Sequence, residues 1–190
     1  MKLYLDIETL PTNDADIISG FAASVKAPGQ YKKQDSIDAW LAENRDSAVK
    51  EMVSKTSFDG LYGRIACICY AFDDGDVFYC AEDDESAMLW KFYDHVAHHA
   101  CGTTHDGPVD FELTVVGHNV AGFDLPFLKH RSIIHGIRPP SNIIKAMAAK
   151  PWDECIADTM LMWSSDRDKR VSMEKLCNAF GIQGKGDFDG

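Results

Sequence analysis

Asp6 and Glu8 stand two residues apart near the start of the chain, in Lys-Leu-Tyr-Leu-Asp-Ile-Glu-Thr-Leu. The stretch alternates: Leu3, Leu5 and Ile7 fall on one face of a strand, Tyr4, Asp6 and Glu8 on the other. Two carboxylates pointing the same way repel, and burying them together is costly. A hard divalent cation such as Mg²⁺ or Mn²⁺ removes both objections, because it takes carboxylate oxygens as ligands. A solvated edge strand would carry the same pattern. A third carboxylate, Asp124, follows a short apolar strand and a glycine-flanked turn, Gly117-His118-Asn119-Val120-Ala121-Gly122-Phe123. Pro126 suits a first helical turn, so Asp124 is expected at a helix start, held as the anion by the helix dipole and free N–H groups. A plain helix cap is the bland account of it.

Asp6-Ile7-Glu8-Thr9 followed by Gly117-His118-Asn119 and Phe123-Asp124 resembles the first and second motifs of the DEDD superfamily of 3′–5′ exonucleases. The branch that looks most similar is the family B polymerase-like predicted exonucleases of bacteria and phages. The resemblance implies a ribonuclease-H-like α/β fold, a mixed β-sheet flanked by helices. It also implies hydrolysis of phosphodiester bonds at 3′ ends of single-stranded DNA, with two Mg²⁺ or Mn²⁺ ions about 3.5–4 Å apart. By resemblance Asp6 would bridge the ions, Glu8 would hold the one that activates water, and Asp124 the other. Thr9 and Leu10 match positions that contact the terminal nucleotide, through backbone groups and an apolar wedge. Asn119 and Phe123 match positions lining the same pocket, although turn stabilisation and core packing account for them equally well. Implied partners are single-stranded DNA or the 3′ end of a duplex, together with replication or repair proteins. The residues themselves leave RNA open.

One part of the pattern is missing. The family needs a fourth Asp, preceded four residues earlier by Tyr or His, on a helix after a Gly-Lys-x-Asp-x-Gly turn. Residues 184–190 carry that turn, but no Tyr follows Tyr93 and no His follows His135. Asp158, Asp187 and Asp189 are the substitutes on offer, Asp158 reading better as a strand-end or core-polar residue. The expectation is a single domain over residues 1–190 lacking the family's final helix. An accessory nucleic-acid-binding protein with the same fold and no efficient catalysis is the alternative. A further one is an unrelated Mg²⁺ phosphohydrolase acting on nucleotides.

A net charge of −11 argues against a nucleic-acid partner at first sight. The charge is uneven, however. Residues 125–150 hold no Asp or Glu but contain Lys129, Arg131, Arg138, Lys145 and Lys150, with His130 and His135, a segment on which a phosphate backbone could lie. No apolar run is long enough for a bilayer, and the chain opens on Lys2 rather than a signal peptide. Six cysteines without a CxxC pair suggest free thiols in a reducing cytoplasm, with Cys67 and Cys69 as small core residues.

The elements that must position these residues follow from periodicity. Residues 11–30 read as loop and 36–57 as a helix. Residues 64–72, apolar on both faces, suit a central strand, turned by Asp73-Asp74-Gly75-Asp76 into a returning strand at 77–80. Leu89, Phe92, Tyr93 and Val96 mark an amphipathic helix over 85–100. Its end carries His95, His98 and His99, followed by Cys101 and His105 in a loop. Histidines at i, i+4 can bind zinc, but no second pair completes a site, and a polar helix end is the better account. A helix over 125–137, a short strand over 155–161 and a helix from Ser172 to Gly181 complete the order.

Overall fold

The computed structural model describes residues 1–104, 107–164 and 170–184. Their contacts group into two compact units, Met1–Glu8 with Ile65–Gly190, and Thr9–Arg64. The last two residues of the first strand thus belong to the second unit.

The larger unit is built on a five-stranded mixed sheet in the order β3-β2-β1-β6-β7, with β1 Lys2–Leu10, β2 Arg64–Phe72, β3 Val77–Cys80, β6 Thr114–Gly117 and β7 Ile156–Asp158. The β2–β3 pair is the expected antiparallel hairpin, while β1–β6 and β6–β7 are parallel. Lys2 N–H donates to Asp73 Oδ1 at 2.7 Å and Asp73 N–H donates to Lys2 O at 3.0 Å, tying the start of β1 to the end of β2. The strands are laced by helices: α3 Glu85–His99, α4 Asp124–Ile134, α5 Ser141–Met147, α6 Thr159–Trp163 and α7 Met173–Phe180. This is the α/β architecture expected, a mixed sheet flanked by helices of ribonuclease-H-like kind.

The alternation in β1 does what it foretold. Leu3, Leu5 and Ile7 are buried, in the same core cluster as Met88, Leu89, Phe92 and Val96 of α3 and Leu125 and Leu128 of α4. The other face turns Tyr4 and Asp6 outward and leaves Glu8 half-buried. Cys67 and Cys69 are half-buried, not core residues, and all six thiols are free.

Several elements differ from expectation. The stretch read as loop contains α1, Ala15–Ser24, started by Asp14, whose carboxylate accepts from Asp16 and Ile17 N–H. It buries no residue, so no apolar stripe marked it. With α2, Gln34–Lys55, and a 3₁₀ turn, Thr56–Phe58, it makes up the smaller unit. That unit is cross-tied by Thr12 N–H to Thr56 Oγ1 at 2.8 Å and Arg64 Nε to Pro11 O at 3.3 Å. Residues read as loop after α3 form a hairpin, β4 Cys101–Thr104 with β5 Gly107–Asp110. The helix expected over 125–137 ends at Ile134, with Gly136 at φ 65° just beyond it, and Pro140 occupies the cap position of a further helix, α5. The strand expected over 155–161 stops at Asp158, whose side chain caps α6. Among the described residues no helix is long and apolar enough to cross a membrane.

Candidate active site

β6 pairs with β1 only from Lys2 to Tyr4 and ends at Gly117. A Cβ on Gly117 would sit 2.8 Å from Leu5 O and 2.7 Å from Val120 Cβ, so only glycine lets the chain turn away this close to β1. Asn119 follows in the left-handed region at φ 62°, and its carbonyl accepts from Gly122 N–H at 3.0 Å and Phe123 N–H at 2.9 Å. The turn delivers Asp124 as the first residue of α4. Its carboxyl reaches back to the strand, where Oδ1 accepts from Ile7 N–H at 3.0 Å. Ile7 lies between Asp6 and Glu8, so the two sequence motifs meet here. Gly117→Ala should lower the melting temperature through a loss of about 1–3 kcal/mol, because the clash is with backbone and cannot relax by rotamer change. Thermal unfolding with no change would show that the turn has slack.

Asp124 is not the cap of α4, a position held by Phe123. Nor is it a stabilised anion, as its place at a helix start suggested. It is 3% exposed, and burial pushes its carboxyl up to about 7. The Ile7 N–H pulls the other way, while the charges of Asp6 and Asp158 add to the rise. Desolvation outweighs the dipole. The same face carries Cys69, whose thiol is pushed up to about 11 by burial, then by Cys67, then by the charges of Asp6 and Glu8. The end of β1 is therefore a region of crowded negative charge.

Oxygen donors of this kind suit a hard divalent cation. Among the described residues, though, no three His, Cys, Asp or Glu side chains are grouped to hold an ion. Asp124 is turned onto Ile7 N–H instead.

The remaining expected residues do structural work. Phe123 is half-buried and packs on the core, its ring 5.7 Å from Phe127. Thr9 donates its hydroxyl to Ser57 O at 2.7 Å inside the smaller unit, and Leu10 is 43% exposed. Asp158 is the residue whose role is larger than its sequence context suggested. Oδ1 accepts from Asn119 N–H and Met160 N–H, both at 3.0 Å, and from Leu161 N–H at 3.3 Å, while Oδ2 accepts from Ala121 N–H at 3.0 Å. It fastens the 119–122 turn to the start of α6, as a strand-end polar residue. The Asp-Thr step into a short apolar run was the available signal. His118 adds a second fastening: Nε2–H donates to Val171 O at 2.8 Å, leaving Nδ1, 2.9 Å away, to accept from the Thr159 hydroxyl. Asp187, Asp189 and the turn at 185–190 lie outside the described residues, as does His105.

One expectation about charge is corrected. Arg131 does not belong to a basic surface: it is 8% exposed and forms a two-pronged pair with Glu85, Nη2 to Oε2 at 2.7 Å and Nε to Oε1 at 3.0 Å. His135 joins the same carboxylate at 2.9 Å. Lys129, His130, Arg138, Lys145 and Lys150 are exposed. Two histidines of α3 pack with aromatic rings, His99 stacking on Phe72 at 4.3 Å and His95 bonding Tyr70 Oη at 2.6 Å, while His98 is exposed beside Asp94.

No protein family model and no curated protein matches the chain. Solved structures do match, 22 chains in all. One is the family B DNA polymerase from the hyperthermophilic archaeon Pyrobaculum calidifontis, 17% identical with a TM-score of 0.37. The match covers 72% of this chain and 11% of the polymerase, so the chain spans about a ninth of its length. A likeness of that size says nothing of activity.

Proposed function

We propose that the chain is a metal-dependent 3′–5′ exonuclease acting on single-stranded DNA through two Mg²⁺ or Mn²⁺ ions held by Asp6, Glu8 and Asp124. The observation that supports the reading is the bond from Ile7 N–H to the buried Asp124 carboxyl, which sets that carboxyl on the backbone between Asp6 and Glu8. Burying an acid against a strand that bears two more carries a desolvation cost, which a bound cation would offset. Bound there, the ions would activate water, neutralise the phosphate and stabilise the leaving 3′ oxygen. Asp124 must give up its proton and exchange Ile7 N–H for the cation, so ion affinity should climb as pH rises through about 7. By the same resemblance, Asn119 and Phe123 are proposed to contact the terminal nucleotide.

A second reading, a nucleic-acid-binding accessory protein without efficient catalysis, is favoured by Asp158. Its oxygens accept from four backbone N–H groups, so it is no candidate for the fourth carboxylate. The two readings separate in an assay with a 5′-labelled single-stranded oligonucleotide and Mn²⁺. The expected result is shortening from the 3′ end that Asp6→Ala abolishes. Binding without shortening would favour the accessory reading. Shortening that survives Asp6→Ala would sink the proposed site.

A further inference from the structure

Beside the turn that sets Asp124 lies a cavity of about 270 Å³, lined by Asn119, Gly122, Pro151, Leu161 and Arg170 among others. Its rim carries an unusual turn. Asp153 N–H donates to Lys150 O at 2.9 Å and the Asp153 carboxylate accepts from Lys150 N–H at 2.8 Å, closing Lys150-Pro151-Trp152-Asp153 from both sides. Pro151 fixes the second position of that turn. The turn holds Trp152 72% exposed, with Lys150 Nζ 5.6 Å from the centre of its ring. A large aromatic ring left in water on a tightly bonded turn forgoes the burial that Trp side chains usually gain.

We infer that Trp152 is a stacking platform for an unpaired base of a single nucleic-acid strand, whose phosphates lie on Lys150 and Arg170 at the adjoining cavity. This rests on the exonuclease reading and names where its strand would run. Charge favours a phosphate chain as the occupant. Lys150 and Arg170 are exposed cations, and the nearest acid on the turn, Asp153, is engaged with the Lys150 backbone. A flat, sequence-tolerant ring flanked by cations is what single strands use, since every unpaired base offers a face to stack on. A duplex offers none.

The test measures anisotropy of a short fluorescent oligothymidylate with the full chain in EDTA, at low and high salt, with free thymidine monophosphate as competitor. Trp152→Ala should weaken binding about tenfold at both salts, and Trp152→Phe should recover most of it. Arg170→Gln should reduce the salt slope by about one. The monophosphate should compete poorly, because it spans one contact only. Equal affinity of wild type and Trp152→Ala, no binding by wild type, or a monophosphate that competes as well as the oligonucleotide would each overturn the inference. Mn²⁺-dependent shortening, run on the same proteins, keeps the two readings apart. Trp152-dependent binding without shortening removes only the nuclease. Shortening with Trp152-independent binding removes only the platform.

Discussion

Asp124→Asn is expected to make the protein more stable at pH 8 while abolishing metal-dependent hydrolysis. The folded protein holds this carboxyl with a pKa of about 7, whereas in the unfolded chain it titrates near the ordinary carboxylate value of about 4. Between those limits the folded state binds more protons than the unfolded one, so stability falls as pH rises from about 4 through 7. Below pH 4 both states are protonated and the penalty is absent. Above pH 7 it is complete, on the order of 4 kcal/mol. Asn keeps an oxygen to accept from Ile7 N–H and carries no charge, so it should match wild type at pH 4 and exceed it at pH 8. For a chain of this length each kcal/mol is worth about 2–4 °C in melting temperature. The comparison must be made in EDTA. Added Mn²⁺ at pH 8 should then raise the wild-type melting temperature and leave that of Asp124→Asn unmoved. A variant less stable than wild type at pH 8 in EDTA would show that the carboxylate is comfortable as an anion.

The second large effect is expected at Glu85 and Arg131. Burial pushes the Glu85 carboxyl up, but bonds from Arg131, Ile65 N–H and His135 more than offset it and hold the group below its ordinary value. Arg131→Met strands a buried carboxylate and should cost about 3–5 kcal/mol at pH 7. The loss should shrink toward pH 4, where the stranded carboxylate can take a proton. Pairing it with Glu85→Leu removes the stranded charge and should recover much of the loss, since a buried pair replaced by apolar groups is often near neutral. Thermal or urea unfolding of both singles and the double gives the coupling directly. Additive single effects would mean that the pair contributes nothing as a pair. The same variant separates stability from binding, because Arg131 faces Glu85 rather than solvent and is not available to a phosphate chain.

What the sequence made legible follows the strength of its periodic signals. β1, the β2–β3 hairpin, α3 and α7 each carry an apolar pattern long enough to exclude the alternative, and the Ser172 cap and Gly181 at φ 66° bound α7 as expected. α1 and α5 were hidden, the first because it buries nothing and the second because a proline pair reads as an ending. The hairpin after α3 pairs Cys-Gly-Thr-Thr with Gly-Pro-Val-Asp, and glycine and proline in so short a run read as loop rather than strand. Residue type and spacing singled out Asp6, Glu8 and Asp124 as candidates, but not the state of Asp124. A helix start argues for an anion, and only the three-dimensional burial beside Asp6 reverses the sign. Arg131 was misplaced for a similar reason. In sequence it belongs to a basic run, while its partner Glu85 lies 46 residues away and shows only in the fold.

Asp6, Glu8 and Asp124 are proposed to hold divalent cations, and anomalous scattering from crystals soaked in Mn²⁺ at pH 8 tests this most directly. The expected result is a peak in contact with Asp6 and Asp124, with the Asp124 carboxyl turned from Ile7 N–H toward the ion and no peak in Asp124→Asn crystals. Crystals soaked at a Mn²⁺ concentration that supports shortening of an oligonucleotide, yet showing no peak at these three carboxylates, would contradict it.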